Sequence, residues 1–130
     1  MTAPGHPSTQ GFDAPLRRGA QEGRLMLQRC RNCGFVPNFA RIACPACLGE
    51  LDWFESSGRG RVDTYTVIRR THHRDYEPHL PIVMALIGLA EGAETISTIV
   101  GNDRLAVEIG SEVRSTRGWS ILPQFELDRR

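Results

Sequence analysis

Two cysteine pairs carry the plainest chemistry in this chain. Residues 30–47 read CRNCGFVPNFARIACPAC: a Cys-x2-Cys pair, ten residues, and a second Cys-x2-Cys pair. All four cysteines of the protein, Cys30, Cys33, Cys44 and Cys47, lie in this stretch. Two residues between cysteines let one tight turn aim both sulfurs at the same ion. Two such turns supply the four thiolates of a tetrahedral zinc site. Gly34 follows the first pair, where such a turn often needs a left-handed residue. After the second pair Leu48 holds that place and Gly49 comes one later, which leaves room for a different closure. Two disulfides are the competing reading, but nothing around the pairs points to secretion. Four thiolates complete the coordination shell, so the expected role of the zinc is structural and not catalytic.

A second loaded stretch is RRTHHRDYEPH, residues 69–79, which holds three of the four histidines. It reads as a solvated loop, as a phosphate- or protein-binding surface, or as a second metal or acid–base site on His72, His73, Asp75 and His79. Adjacent histidines in extended chain point opposite ways, which disfavours the last reading and the zinc-dependent hydrolase it would imply. No Gly-x-Ser-x-Gly elbow and no glycine-rich phosphate loop is present. With every cysteine claimed by the metal pattern, no activated nucleophile is left. The chain is therefore not expected to be catalytic alone.

The elements that must position these residues follow from patterning. Residues 1–22 are expected to be a mobile arm (1–11) and a short helix (12–21), with Phe12, Leu16 and Ala20 on one face. Residues 23–57 form the zinc ribbon, entered by a strand at 24–29 and left by one at 51–55. A unit this short cannot bury a core alone and needs a metal staple. Residues 58–130 turn to strands. Residues 61–68 alternate, with Val62, Thr64, Thr66 and Ile68 on one face. Residues 82–89 are nearly all apolar, as for a strand covered on both faces. A turn at 91–94 leads to a strand at 95–100. Residues 105–109 and 112–116 flank Gly110, and 121–125 closes the chain, with Pro123 suggesting an edge. Short strands separated by turn signals predict a mainly β protein: a short helix, a rubredoxin-like zinc ribbon, and a five-stranded OB-fold barrel. Trp53, Phe54 and Tyr65 are expected in packing. Trp119 is expected either as an interface anchor or under the cover of the barrel.

Composition sets limits on function. Net charge is +1 over 130 residues, without the basic excess that nucleic-acid wrapping needs. All sixteen basic side chains are arginine, which suits forked contacts to phosphate. The opening MTAPGHPSTQGF lacks the apolar core of a signal peptide, and the longest apolar run, residues 80–90, is too short to span a membrane. A cytoplasmic location, which also keeps thiolates reduced, is the expectation.

A family resemblance covers residues 12–125. It rests on LQRCRNCG (27–34), CPAC (44–47), SGRGRVDTYT (57–66), LPIVMALI (80–87), Ile109-Gly110 with Val113, and LPQF (122–125). The chain resembles the acyl-CoA-associated proteins that join a rubredoxin-like zinc ribbon to an OB fold. It departs from them at Asn38-Phe39-Ala40, where a Pro-Pro pair is usual, and in the histidine-rich loop. The resemblance implies an accessory subunit in a hetero-oligomer with a thiolase-like enzyme (thiolase, aldolase or acyltransferase) or a hydratase. One structural zinc would be the cofactor and a CoA ester the ligand, bound or channelled by the barrel. Arg59, Arg61, Arg69, Arg70, Arg74 and Tyr76 are the candidates to meet the CoA phosphates and adenine. The alternative from a different class is an OB-fold nucleic-acid-binding module, against which the near-zero charge counts.

Overall fold

The structure is a computed structural model and describes residues 11, 13–119 and 122–128. The expected mobile arm, apart from Gly11, lies outside the described residues, as do Phe12 and Ile121. The helix α1 runs Ala14–Gln21, with proline in its first turn and Arg18 in its last. Gly23 ends it in the left-handed conformation, φ 74°. The same glycine lets α1 come close to the barrel. A Cβ at Gly23 would lie 2.6 Å from the Arg117 carbonyl oxygen. One short helix is marginal by itself, and this one lies against the ribbon, with buried Gly19 next to Met26.

Two strands, β1 (Met26–Cys30) and β2 (Leu51–Glu55), pair antiparallel, with Leu27 opposite Phe54 and Cys30 opposite Leu51. They carry the chain into and out of the cysteine turns. Buried Gln28 fixes the intervening loop. Its Nε2 donates to the Arg41 carbonyl (2.9 Å) and its Oε1 accepts from the Arg41 N–H (2.8 Å). One polar side chain thus satisfies a backbone donor and acceptor that would otherwise lack partners.

The remaining strands are β3 (Arg59–Ile68), β4 (Ile82–Leu89), β5 (Glu94–Ile99), β6 (Glu112–Trp119) and β7 (Pro123–Leu127). They form a closed barrel in the order β3-β4-β5-β7-β6, with β6 returning to β3. All pairings are antiparallel except β5 with β7, where Ile99 pairs with Phe125 in parallel register. This is the expected five-stranded OB-type barrel. The core is filled by Val62, Val83, Ile87, Ile99, Val113 and Phe125, each at most 1 % exposed.

Four details differ from the sequence reading. First, β7 is not at an edge, because closure gives it a neighbour on both sides. Pro123 is the first residue of its strand, where the missing N–H removes no ladder bond. Second, the alternation in β3 changes phase. A bulge between Val62 and Thr64 inserts Asp63, so Val62, Tyr65 and Val67 lie opposite buried Ile87, Ala85 and Val83. Thr64, Thr66 and Ile68 therefore do not share the face of Val62. Third, β4 is buried on one face only; the alternate residues are half-covered. Fourth, residues 105–109 contain no strand. A 3-10 turn, Arg104–Ala106, precedes buried Val107 and leads to left-handed Gly110.

The turn between β4 and β5 holds the ribbon to the barrel. The Glu91 carboxylate accepts from the Ser56 hydroxyl (2.8 Å) and the Ser57 N–H (2.7 Å) on the connecting segment. Three residues on, the Glu94 N–H donates to Asn38 Oδ1 in the ribbon loop (2.9 Å). Gly58 follows at φ 80°, with Ser115 of β6 only 3.0 Å from where a Cβ would stand.

Candidate functional site

The cysteine turns are built alike. The Cys30 N–H donates to the Phe35 carbonyl and the Cys44 N–H to the Gly49 carbonyl, at 2.8 and 2.9 Å. Gly34 N–H returns to the Cys30 carbonyl at 3.0 Å, and Leu48 N–H to the Cys44 carbonyl at 2.8 Å. Gly34 and Leu48 both hold left-handed backbone, φ 78° and 65°. The second turn thus closes as the first does, with a leucine in the conformation that glycine takes without strain. Gly49 has a separate role. A Cβ there would lie 3.1 Å from Cys30 Sγ and 3.2 Å from Cys47 Sγ, so the residue makes room for the cluster.

The sulfurs of Cys30, Cys33, Cys44 and Cys47 lie within 4.8 Å of one another. Cys30 and Cys47 are 3.4 Å apart, and Cys33 and Cys44 3.6 Å. All four are free thiols, not disulfides. Zinc–sulfur bonds of about 2.3 Å in a tetrahedron place sulfurs ~3.8 Å apart, so the cluster has the size this ion requires. Backbone N–H groups of Asn32 and Cys33 point at Cys30 Sγ (3.3 and 3.4 Å), and that of Ala46 at Cys44 Sγ (3.4 Å). Such donors favour thiolate. The Cys33 N–H in particular brings the Cys30 thiol down to about 6, against desolvation. At Cys33 the Phe35 N–H pulls the same way. Desolvation and the sulfurs of Cys30, Cys47 and Cys44 outweigh it and push the thiol up to about 12. One thiolate forms readily and its neighbour resists, because clustered anions need a cation between them. A bound zinc ion would supply that charge and cross-link the two turns, with no coordination position left for substrate.

The arginine candidates separate into two groups. Arg59 and Arg61 open β3, and Arg61 faces Glu112 of β6 at 3.9 Å. Arg69, Arg70 and Arg74 lie beyond the other end of the same strand, all exposed. At ~3.3 Å per residue, Arg61 and Arg69 are roughly 26 Å apart along the strand, too far to grip one phosphate together. Tyr76 stands 5.0 Å from the His73 ring, ahead of the 3-10 turn Glu77–His79. His73 Nδ1 is 3.7 Å from Asp75, and both are exposed. Among the described residues the four cysteines are the one cluster with metal-ligating geometry, so the histidine loop offers no second metal site.

The sequence reading missed a groove of about 260 Å³ where helix, ribbon and barrel meet. Leu16 of α1, Phe39 of the ribbon loop, Trp53 of β2, Ile96 of β5, Trp119 of β6 and Pro123 of β7 line it. Both tryptophans were legible as packing residues or an anchor. Their convergence was not, because it depends on how the ribbon sits on the barrel. Trp119 also packs against the barrel core.

Comparison with known proteins likewise finds a ribbon part and a barrel part, with the boundary falling inside β2. Residues 17–52 match the family described as "ChsH2, rubredoxin-like zinc ribbon domain", and residues 53–117 match "ChsH2, C-terminal OB-fold domain". The chain is 39 % identical over 95 residues to a "DUF35 domain-containing scaffold protein" of Methanothermobacter thermautotrophicus, covering 72 % of this chain and 71 % of that protein. It is 35 % identical over 96 residues to a "Probable enoyl-CoA hydratase alpha subunit" of Thermomonospora curvata, covering 72 % of this chain but 29 % of that longer protein. Among solved structures, "Ltp2-ChsH2(DUF35) aldolase" superposes with a TM-score of 0.75 at 30 % identity, covering 89 % of this chain and 94 % of that one. A DUF35-family protein of unknown function from Sulfolobus solfataricus shares the fold, with a TM-score of 0.63 at 20 % identity over 95 % of this chain and 87 % of that one.

Proposed function

This chain belongs to the ChsH2 family of zinc-ribbon and OB-fold proteins, and we propose that it is a non-catalytic accessory subunit of an acyl-CoA-handling enzyme. In this reading Cys30, Cys33, Cys44 and Cys47 hold one structural zinc. The barrel binds or channels the CoA ester for a thiolase-like or hydratase partner that carries the reacting groups. The complex works in the reducing cytoplasm, which suits four thiolates. The observation that carries the reading is the closed cysteine cluster. It takes every thiol of the chain, so no cysteine is left to serve as a thiolase-type nucleophile. The similar proteins, an aldolase assembly and an enoyl-CoA hydratase subunit, support the class of partner. Arg59 with Arg61, and Arg69, Arg70 and Arg74 with Tyr76, serve as two separate contacts, for the nucleotide or for the partner.

The test is native affinity purification of the tagged chain, followed by activity measurements on the purified assembly and on the chain alone. A thiolase-like or hydratase protein recovered in near-equal amount is expected. So is acyl-CoA turnover by the assembly and none by the chain. Robust turnover by the isolated chain would overturn the proposal.

A further inference from the structure

The chain has two tryptophans, and both line the groove at the ribbon–barrel seam. Among the described residues that line it none is charged, although 24 % of the chain is Asp, Glu, Lys or Arg. A surface of this kind rejects phosphate and carboxylate groups, whose desolvation it cannot repay, and accepts hydrocarbon. The polar side chains at its wall are already committed. Gln28 holds Arg41, the Asn38 Oδ1 accepts from the Glu94 N–H, and the Thr95 hydroxyl donates to the Ile96 carbonyl. An apolar cavity of ~150 Å³ admits benzene, so about 260 Å³ has room for on the order of ten carbon atoms. The rim is apolar as well, with Phe39 67 % and Ile96 44 % exposed.

We infer that this groove seats the acyl portion of a medium-chain acyl thioester, leaving its charged nucleotide end outside. The inference rests on the proposed role in acyl-CoA handling and names the part of the ligand that the seam takes. It separates two tasks: the arginines of the β3 ends meet charge, and the seam meets hydrocarbon.

The tryptophans report on the site directly. The full-length, zinc-loaded chain is titrated with decanoic acid, decanoyl-CoA and CoA alone while indole emission is recorded. Both decanoyl compounds should give a saturable blue shift, and CoA alone none. Ile96→Glu puts a carboxylate at the exposed rim and should weaken both at least tenfold, with zinc content and circular dichroism unchanged. Trp53→Phe keeps an aromatic wall and should retain the shift through Trp119. No shift with either decanoyl compound overturns the inference, as does a shift produced equally by CoA alone. Decanoyl-CoA binding seen by calorimetry without any tryptophan response would remove the groove while leaving the accessory-subunit reading in place. Turnover by the isolated chain would do the reverse.

Discussion

At Leu48 a branched side chain is held at φ 65° and stands 82 % exposed, so strain there is not offset by burial. The left-handed conformation costs an L-residue about 1–2 kcal/mol, and glycine returns part of that as unfolded-state entropy. Leu48→Gly should therefore leave zinc content intact and stabilise the chain by up to about 1 kcal/mol, read from chemical denaturation. The reverse change at Gly34, φ 78° with nothing within 4 Å of a Cβ, should cost a similar amount through strain alone. The cysteines are a larger matter. Cys44 is 0 % exposed, and Cys44→Ser or chelation should take the zinc from one per chain to none measurable. Binding of structural zinc to small domains is worth on the order of 10–16 kcal/mol at neutral pH, so the ribbon should unfold and near-ultraviolet dichroism from Trp53 should collapse. Emission spectrometry of metal and dichroism on one sample check both outcomes.

At the scale of elements, the turn between β4 and β5 decides how ribbon and barrel sit together. Burial pushes the Glu91 carboxyl up, but the Ser57 N–H and the Ser56 hydroxyl pull it further down, so it ends below the usual carboxylate range. A folded-state value below the unfolded one stabilises the fold above an unfolded pKa of about 4.3. That contribution disappears as pH falls through the folded value. Glu91→Gln should thus lose about 1 kcal/mol at pH 7, less than charge-assisted bonds usually contribute because the group is partly solvated. The gap between variant and parent melting curves should close below about pH 4. This latch shows where sequence reading stopped. Cys-x2-Cys spacing and the apolar run of β4 are local signals, and they were legible. Asp63 looks like an ordinary alternating position until the bulge is seen, and Glu91 looks like a turn residue until Ser56 meets it. Trp53 and Trp119 share a groove only after the chain has crossed from ribbon to barrel. Such relations span tens of residues and leave no periodic trace.

At the scale of the whole molecule, a net charge of +1 and barrel strands that expose one aromatic among the described residues, Tyr65, leave little for a nucleic-acid strand. Fluorescence anisotropy with labelled single-stranded DNA at low salt should show no salt-dependent binding in the micromolar range. Measurable binding with a steep salt slope would favour the alternative module. The core itself is non-local. Phe125 of β7 is 0 % exposed among residues from the other strands, and Phe125→Ala should cost about 3–5 kcal/mol in denaturant unfolding. The parallel pairing of β5 with β7 has a kinetic meaning as well. Until β7 slides between β5 and β6, the sheet has two open backbone edges, and closing it requires loops that forfeit chain entropy before any contact rewards them. The zinc ribbon, by contrast, closes over a short span. Refolding should therefore show a fast metal-dependent phase in the ribbon and a slower one in the barrel. In the interval the unpaired edges of β5 and β6 are where neighbouring chains would stick, so aggregation during refolding should rise with protein concentration and fall once β7 has docked.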